Sequence, residues 1–138
     1  MDIEAVKKRF IEEVKLRAYE DRYVDREEEK EILKIAIQEG IGVDSARLAL
    51  QQVCAQSDYV LETTLDQKAK ELLEQFVKND GQVDKKEFDD AVSMTYSAAK
   101  GRLSEVMCRK KIKQIMVTNS WGAREGFLKG GRWFSDIW

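Results

Sequence analysis

The stretch from Leu72 to Val92, LLEQFVKNDGQVDKKEFDDAV, most constrains what this chain can fold into. An apolar helical run ends at an Asn-Asp-Gly turn, and a single Val83 follows. Asp84 then stands three residues before Glu87, which is the spacing of a helix capping box. This order predicts a helix, a tight turn and a second helix.

The same helical character extends over most of the chain. Apolar residues recur every three or four positions, and the 138 residues contain no proline to interrupt a helix. The pattern predicts an all-α fold of five to six helices, at about 3–20, 26–38, 44–54, 65–77, 84–96 and 102–117. We expect two helix–loop–helix hairpins, with turns near 39–42 and 79–83. An aromatic, Gly-rich C-terminal tail would pack on this bundle. The predicted organisation is a helical domain over 1–118 and a tail over 119–138 docked on the same domain.

A short internal similarity accompanies the two predicted hairpins. Residues 41–48 align with residues 81–88 at a spacing of 40, and each segment contains a glycine, a valine and then an aspartate. This alignment predicts a repeated helix–turn–helix unit in which Val43 and Val83 are equivalent. Coincidence is the alternative, because the match is only eight residues long.

The residue types exclude several kinds of chemistry. The chain has no histidine, which removes Ser-His and Cys-His nucleophile pairs and His-based zinc sites. Two cysteines, Cys54 and Cys108, are too few for a disulfide scaffold and predict free thiols in the cytoplasm. The N-terminus lacks a signal-peptide pattern and no apolar run is long enough for a bilayer, so no membrane interaction is expected. The prediction is that the protein is not an enzyme.

The turn at 80–88 resembles the second half of an EF-hand calcium loop. The residues that fit the pattern are Asp80, Gly81, Val83, Asp84, Glu87 and Phe88. Phe76 and Lys78 stand where the first two acidic ligands belong. The resemblance implies weak Ca²⁺ or Mg²⁺ binding, with Asp80, Asp84 and Glu87 as carboxylate ligands. No other cofactor is expected, and the alternative is a purely structural turn.

The same turn also resembles the acidic Asp-Gly-x-Val turn of the TerB-like tellurite-resistance family, whose members are all-helical. The match consists of Asp80-Gly81-Gln82-Val83 with Glu87, and of a first copy at Glu39-Gly40 with Asp44. This resemblance implies a cation-binding, stress-response helical module as an alternative function.

A basic helical segment gives a second alternative. Arg109, Lys110, Lys111 and Lys113 cluster in the last predicted helix, and basic helices can follow a phosphate backbone. The net charge is −2, and an acidic segment at 20–31 could balance these cations within the fold. An internally paired or solvated helix face is therefore favoured over nucleic-acid binding.

The last twenty residues have a different composition from the rest. They hold all three tryptophans and four of the eight glycines. Tryptophan and arginine are favoured at the centres of protein interfaces. We therefore predict a non-enzymatic protein–protein interaction module that uses this segment or the groove that the segment fills. The predicted partner-binding residues are Trp121, Phe127, Arg132, Trp133, Phe134 and Trp138. The alternative is that the tail only completes its own helical core, and nothing in the sequence identifies the protein partner.

Overall fold

A computed structural model describes residues 2–125 and 131–138. Its helices are α1 (Ile3–Arg17), α2 (Arg26–Gln38), α3 (Val43–Gln56), α4 (Glu62–Phe76), α5 (Lys85–Ala98) and α6 (Glu105–Thr118). The described residues also form four two-residue strands: β1 (Tyr23–Val24), β2 (Val60–Leu61) and β3 (Gln82–Val83) lie between helices, and β4 (Gly122–Ala123) follows α6. The all-α prediction of five to six helices is confirmed. None of the described helices is long and apolar enough to cross a membrane.

The chain divides into two compact units. Unit 1 is Met1–Thr64 and unit 2 is Leu65–Trp138. The boundary falls within α4, so this division differs from the expected break between residues 118 and 119. Two helices start three residues away from the expected positions, because α4 begins at Glu62 rather than near Leu65 and α6 begins at Glu105 rather than near Arg102.

Unit 1 is built on three mutually packed helices. α1 packs on both α2 and α3, and α2 packs on α3. The apolar stripe of α1 consists of Val6, Phe10 and Val14, all completely buried. Its periodicity of four residues places these side chains on one face, where burial of such side chains stabilises a fold by about 1.5–3 kcal/mol each.

The helices of unit 2 bury side chains at positions equivalent to those buried in unit 1. α5 packs on α6, and the buried stripe of α4 is Leu65, Ala69 and Leu73. These residues follow Val6, Phe10 and Val14 by 59 positions each. The buried positions of α2 and α5 are also offset by 59, and the sets are Glu29, Ile32, Leu33, Ala36 and Phe88, Ala91, Val92, Thr95. The two units therefore share one pattern of burial.

Each unit also contains the same acidic turn, with the pattern Asp-x-x-Val-Asp-x-x-Glu at 21–28 and 80–87. Asp25 and Asp84 each cap the following helix and accept a hydrogen bond from the backbone N–H three residues on, at 2.8 and 2.7 Å. Glu28 and Glu87 complete both capping boxes by accepting from the cap backbone. The capping box predicted at Asp84 is confirmed, and an identical one opens α2.

The second residue of each turn adopts a left-handed backbone. Arg22 has φ 52° and Gly81 has φ 72°. The carbonyl of Arg22 accepts a hydrogen bond from Val60 at 2.9 Å, and that of Gly81 accepts one from Gly122 at 3.0 Å. Each of these bonds joins the residue that precedes one strand to the first residue of its parallel partner, in the pairs β1–β2 and β3–β4.

The structural repeat corrects the alignment expected from the sequence. Val43 is the first residue of α3 and is exposed, whereas Val83 lies in β3 and is buried. The two residues are therefore not equivalent, and the first copy of the 80–87 turn lies at 21–28 rather than at Glu39–Asp44. Gly42, not Asp44, caps α3.

The capping assignment makes a direct prediction. Asp25→Ala and Asp84→Ala should each lower the free energy of unfolding by about 1 kcal/mol, because each change leaves backbone donors without their acceptor. Asp44→Ala is the matched control and should cost only about 0.3 kcal/mol, from the loss of a first-turn charge. Urea unfolding followed by circular dichroism measures all three variants. Equal losses would contradict the assignment of the caps.

Candidate interaction surface

Lys113 is the residue on which the C-terminal tail is anchored. Its residue exposure is 6%, although lysine is rarely so buried. The ammonium donates hydrogen bonds to the carbonyl oxygens of Phe134 at 2.9 Å and Ile137 at 3.0 Å. Two carbonyl acceptors compensate for part of the loss of hydration that burial of a cation imposes.

Two aromatic rings of the tail complete the surroundings of this ammonium. Lys113 Nζ lies 4.8 Å from the ring centre of Phe134 and 4.4 Å from that of Trp138. Cations are attracted to the negative faces of aromatic rings at such distances. The tail therefore encloses Lys113 with both carbonyl oxygens and ring faces.

An aromatic cluster fixes the tail on α5. The ring centres of Trp133 and Phe134 lie 5.1 and 6.1 Å from that of Phe88, and 5.7 Å from each other. Phe88 is fully buried, whereas Trp133 and Phe134 are half-buried. The Phe134 ring packs edge-on against both of the other rings, and such aromatic pairs contribute about 0.5–1.5 kcal/mol each beyond the area that they bury.

Glu125 connects the first part of the tail to its last residues through hydrogen bonds. Its two carboxylate oxygens accept hydrogen bonds from Ser135, one from the hydroxyl at 2.7 Å and one from the backbone N–H at 3.2 Å. These bonds favour the charged carboxylate and lower the pKa of Glu125. The expectation that the tail packs on the helices is confirmed.

One aromatic side chain of the tail, that of Trp138, is largely exposed to solvent. Trp138 is 61% exposed while its ring stays over Lys113. Val106 and Val117 on α6 are 60% and 51% exposed. Lys113 follows Val106 by seven positions and precedes Val117 by four, so the three residues lie on neighbouring strips of one helix face. We call Val106, Lys110, Val117 and Trp138 the α6–tail face.

The other predicted partner-binding residues have different surroundings. Trp121 is half-buried and lies three residues after the end of α6. Its backbone N–H donates a hydrogen bond to the carbonyl oxygen of Met116 at 2.9 Å. Arg132 is exposed, with its guanidinium 4.0 Å from the carboxylate of Asp136. Phe127 lies outside the described residues. The structure thus brings Phe134 and Trp138 together around Lys113, and Trp133 packs beside Phe134 on Phe88.

The predicted basic surface is mostly engaged within unit 2. Arg109 pairs with Asp89 at 3.4 Å and lies 5.4 Å from the ring centre of Phe88, and Lys111 pairs with Asp66 at 2.8 Å. Lys113 is held by the tail. Of the four predicted cations, only Lys110 is exposed.

The carboxylates of the predicted cation site also have partners in the protein. Asp84 and Glu87 accept each other's backbone hydrogens in the capping box. Asp80 accepts from the N–H of Gln82 at 3.0 Å and forms an ion pair with Arg124. Within residues 2–125 and 131–138, no group of three or more acidic, Cys or His residues is arranged to hold a metal ion. Cation binding at this turn stays a prediction.

Both thiols are buried. Burial, together with the nearby charge of Glu29, raises the pKa of Cys54 to about 12. Burial also raises the pKa of Cys108. A thiol in such surroundings is neutral and a poor nucleophile at neutral pH.

Sequence reasoning did not identify the contribution of Phe88, which is a core residue and also the platform for the tail. Lys113 was predicted to lie on a paired or solvated helix face, with phosphate binding as the alternative, because sequence alone does not separate a buried cation from an exposed one. The helical period was an available signal, since Lys113 directly follows Ile112 and precedes Met116 by three positions.

The anchoring role of Lys113 can be tested by substitution. Lys113→Met keeps the length of the side chain but removes the donors, which leaves two carbonyl oxygens without partners. We expect the free energy of unfolding to fall by about 2 kcal/mol. Lys110→Met, on the same helix but exposed, should change it by less than about 0.5 kcal/mol. Near-ultraviolet circular dichroism should show loss of tryptophan signal only for Lys113→Met, and equal effects of the two variants would contradict the anchoring role.

The raised thiol pKa values predict that both cysteines of the folded protein react slowly with thiol reagents. They also predict that the protein loses stability at alkaline pH. In the native protein, an aromatic disulfide reagent at pH 8 should modify Cys54 and Cys108 at least about a hundred times more slowly than in urea. Because folding favours the neutral thiols, their contribution to stability is fully present below about pH 8.5 and is lost as the pH rises toward 12. A Cys54→Ala variant should show a smaller loss of stability over this range than the parent protein. Rapid modification of the folded chain would contradict the burial of the thiols.

Comparison with known proteins finds no matching family model, no matching curated protein and no matching solved structure.

Proposed function

We propose that this protein is a non-enzymatic protein–protein interaction module, located in the cytoplasm, and that the α6–tail face is its binding surface. One observation carries the proposal. The ring of Trp138 is 61% exposed and yet fixed in position 4.4 Å from the ammonium of Lys113. An exposed tryptophan held in one place is the kind of side chain that dominates the energy of protein interfaces.

The fixed position of Trp138 matters because ordering a side chain costs free energy on binding. An immobilised, rotamer-rich side chain costs about 0.5–1.5 kcal/mol when it becomes ordered only in the complex. Lys113 is itself buried and bonded to two carbonyl oxygens. The tail therefore presents Trp138 in an arrangement that needs little further ordering.

The surroundings of Trp138 favour an apolar partner with an acidic rim. Val106 and Val117 add exposed apolar area on α6, and Lys110 and Arg132 add exposed positive charge. An amphipathic helix with apolar residues three, four and seven positions apart suits such a strip. Acidic residues beside that apolar face would complement the two cations and guide association.

Several features support a binding role over catalysis. The chain has no histidine, and the pKa values of Cys54 and Cys108 are raised by burial. The alternative functions would need groups that already have partners in the protein. Cation binding would compete with the capping box at Asp84 and Glu87, and nucleic-acid binding would rely on Lys110 as the one exposed cation of its predicted set.

A photo-crosslinking experiment tests the proposed surface. In one variant, benzoylphenylalanine replaces Trp138. In the control variant it replaces Leu48, an apolar residue of unit 1 with similar exposure. Crosslinked proteins specific to position 138 are then purified, and their affinity for the uncrosslinked parent chain is measured. Trp138→Ala should weaken this affinity about thirtyfold, as expected for an interface residue worth about 2 kcal/mol.

Leu48→Ala should leave the same affinity unchanged. If the affinity of Trp138→Ala for the purified partner equals that of the parent chain, the α6–tail face is not the binding surface. Circular dichroism of both variants establishes that the fold is retained.

A further inference from the structure

A cleft between α5 and α6 lies beside the α6–tail face and is not part of it. Its volume is about 310 Å³, which is at the lower end of the range for ligand pockets in proteins. Lys85, Asp89, Val92 and Tyr96 line it from α5, and Glu105 and Arg109 line it from α6. Val92 is buried, whereas Tyr96 is 47% exposed.

The charges of the cleft are unevenly matched. Asp89 pairs with both Lys85 at 2.9 Å and Arg109 at 3.4 Å. Two cations therefore share one carboxylate. Within residues 2–125 and 131–138, Glu105 makes no ion pair, so its carboxylate can accept a cation from a partner.

Glu105 and Arg109 are four positions apart on α6, so their side chains are neighbours about 6 Å apart. In an extended peptide, alternate side chains point the same way and are separated by roughly 6.6 Å. A peptide with an acidic residue and a basic residue two positions apart could therefore place its acid near Lys85 and Arg109 and its base near Glu105. The exposed ring of Tyr96 offers further attraction for the base.

We propose that this cleft binds an extended segment of a protein partner that carries an acidic and a basic side chain two positions apart. Unit 1 provides an internal comparison. Lys30 and Val43 stand at the positions equivalent to Asp89 and Glu105, so unit 1 lacks this arrangement of charges. The inference does not depend on the α6–tail face.

Titration of the full chain with short peptides tests this proposal. The probes are the acetylated, amidated tripeptides Glu-Ala-Arg, Gln-Ala-Arg and Glu-Ala-Gln, and the measurement is the amide chemical shifts of Ser93, Tyr96 and Glu105. Glu-Ala-Arg should cause saturable shifts and bind about two- to fivefold more tightly than either singly charged peptide, as one exposed ion pair allows.

Glu105→Gln should reduce the affinity for Glu-Ala-Arg to that for Glu-Ala-Gln. Glu12→Gln, an exposed glutamate of α1, is the matched control and should change nothing, and Trp138→Ala should also leave peptide binding intact. Tyr96→Ala is a second variant and should weaken binding of Glu-Ala-Arg. Absence of saturable shifts, equal affinity for the three peptides, or an unchanged affinity in Glu105→Gln would overturn the proposal.

Discussion

In each unit, the carbonyl of one left-handed residue joins two segments that are far apart in the chain. Arg22 bonds to Val60, and Gly81 bonds to Gly122. This residue belongs to the acidic turn whose capping box starts the following helix. Each eight-residue turn therefore contains one strand of a parallel pair and the start of a helix.

Among the buried positions at which the two units differ, one determines what can pack on the second helix of each unit. Unit 1 has Glu29, which is 3% exposed and lies 3.4 Å from Arg47. Unit 2 has Phe88 at the equivalent place, where the guanidinium of Arg109 lies 5.4 Å from the ring centre while it pairs with the carboxylate of Asp89. An aromatic ring can hold Trp133 and Phe134, whereas a buried carboxylate cannot. The position of Lys113 is taken in unit 1 by Gln51, which carries no positive charge.

The helices could be predicted from the sequence because their signals are local. Apolar periodicity placed all six, and the capping box at Asp84 located the start of α5. The predicted register of the repeat was wrong because the true offset is 59 residues in the first two helices and 62 in the third, with few identical residues. The pattern Asp-x-x-Val-Asp-x-x-Glu was present twice, but Arg22 stands where the second copy has Gly81, which hid the shared left-handed turn. The environment of Lys113 depends on contacts with residues more than twenty positions away. Local patterns do not contain such contacts.

The central claim is that Lys113 holds Trp138 in its exposed position, and a double-mutant cycle between these two residues tests it most directly. The free energies of unfolding of Lys113→Met, Trp138→Ala and the double variant are compared with that of the parent chain. A direct contact predicts a coupling energy of about 0.5–2 kcal/mol, while the cycle of Lys110 with Trp138 should give a value near zero. Strictly additive effects of Lys113→Met and Trp138→Ala would contradict the account.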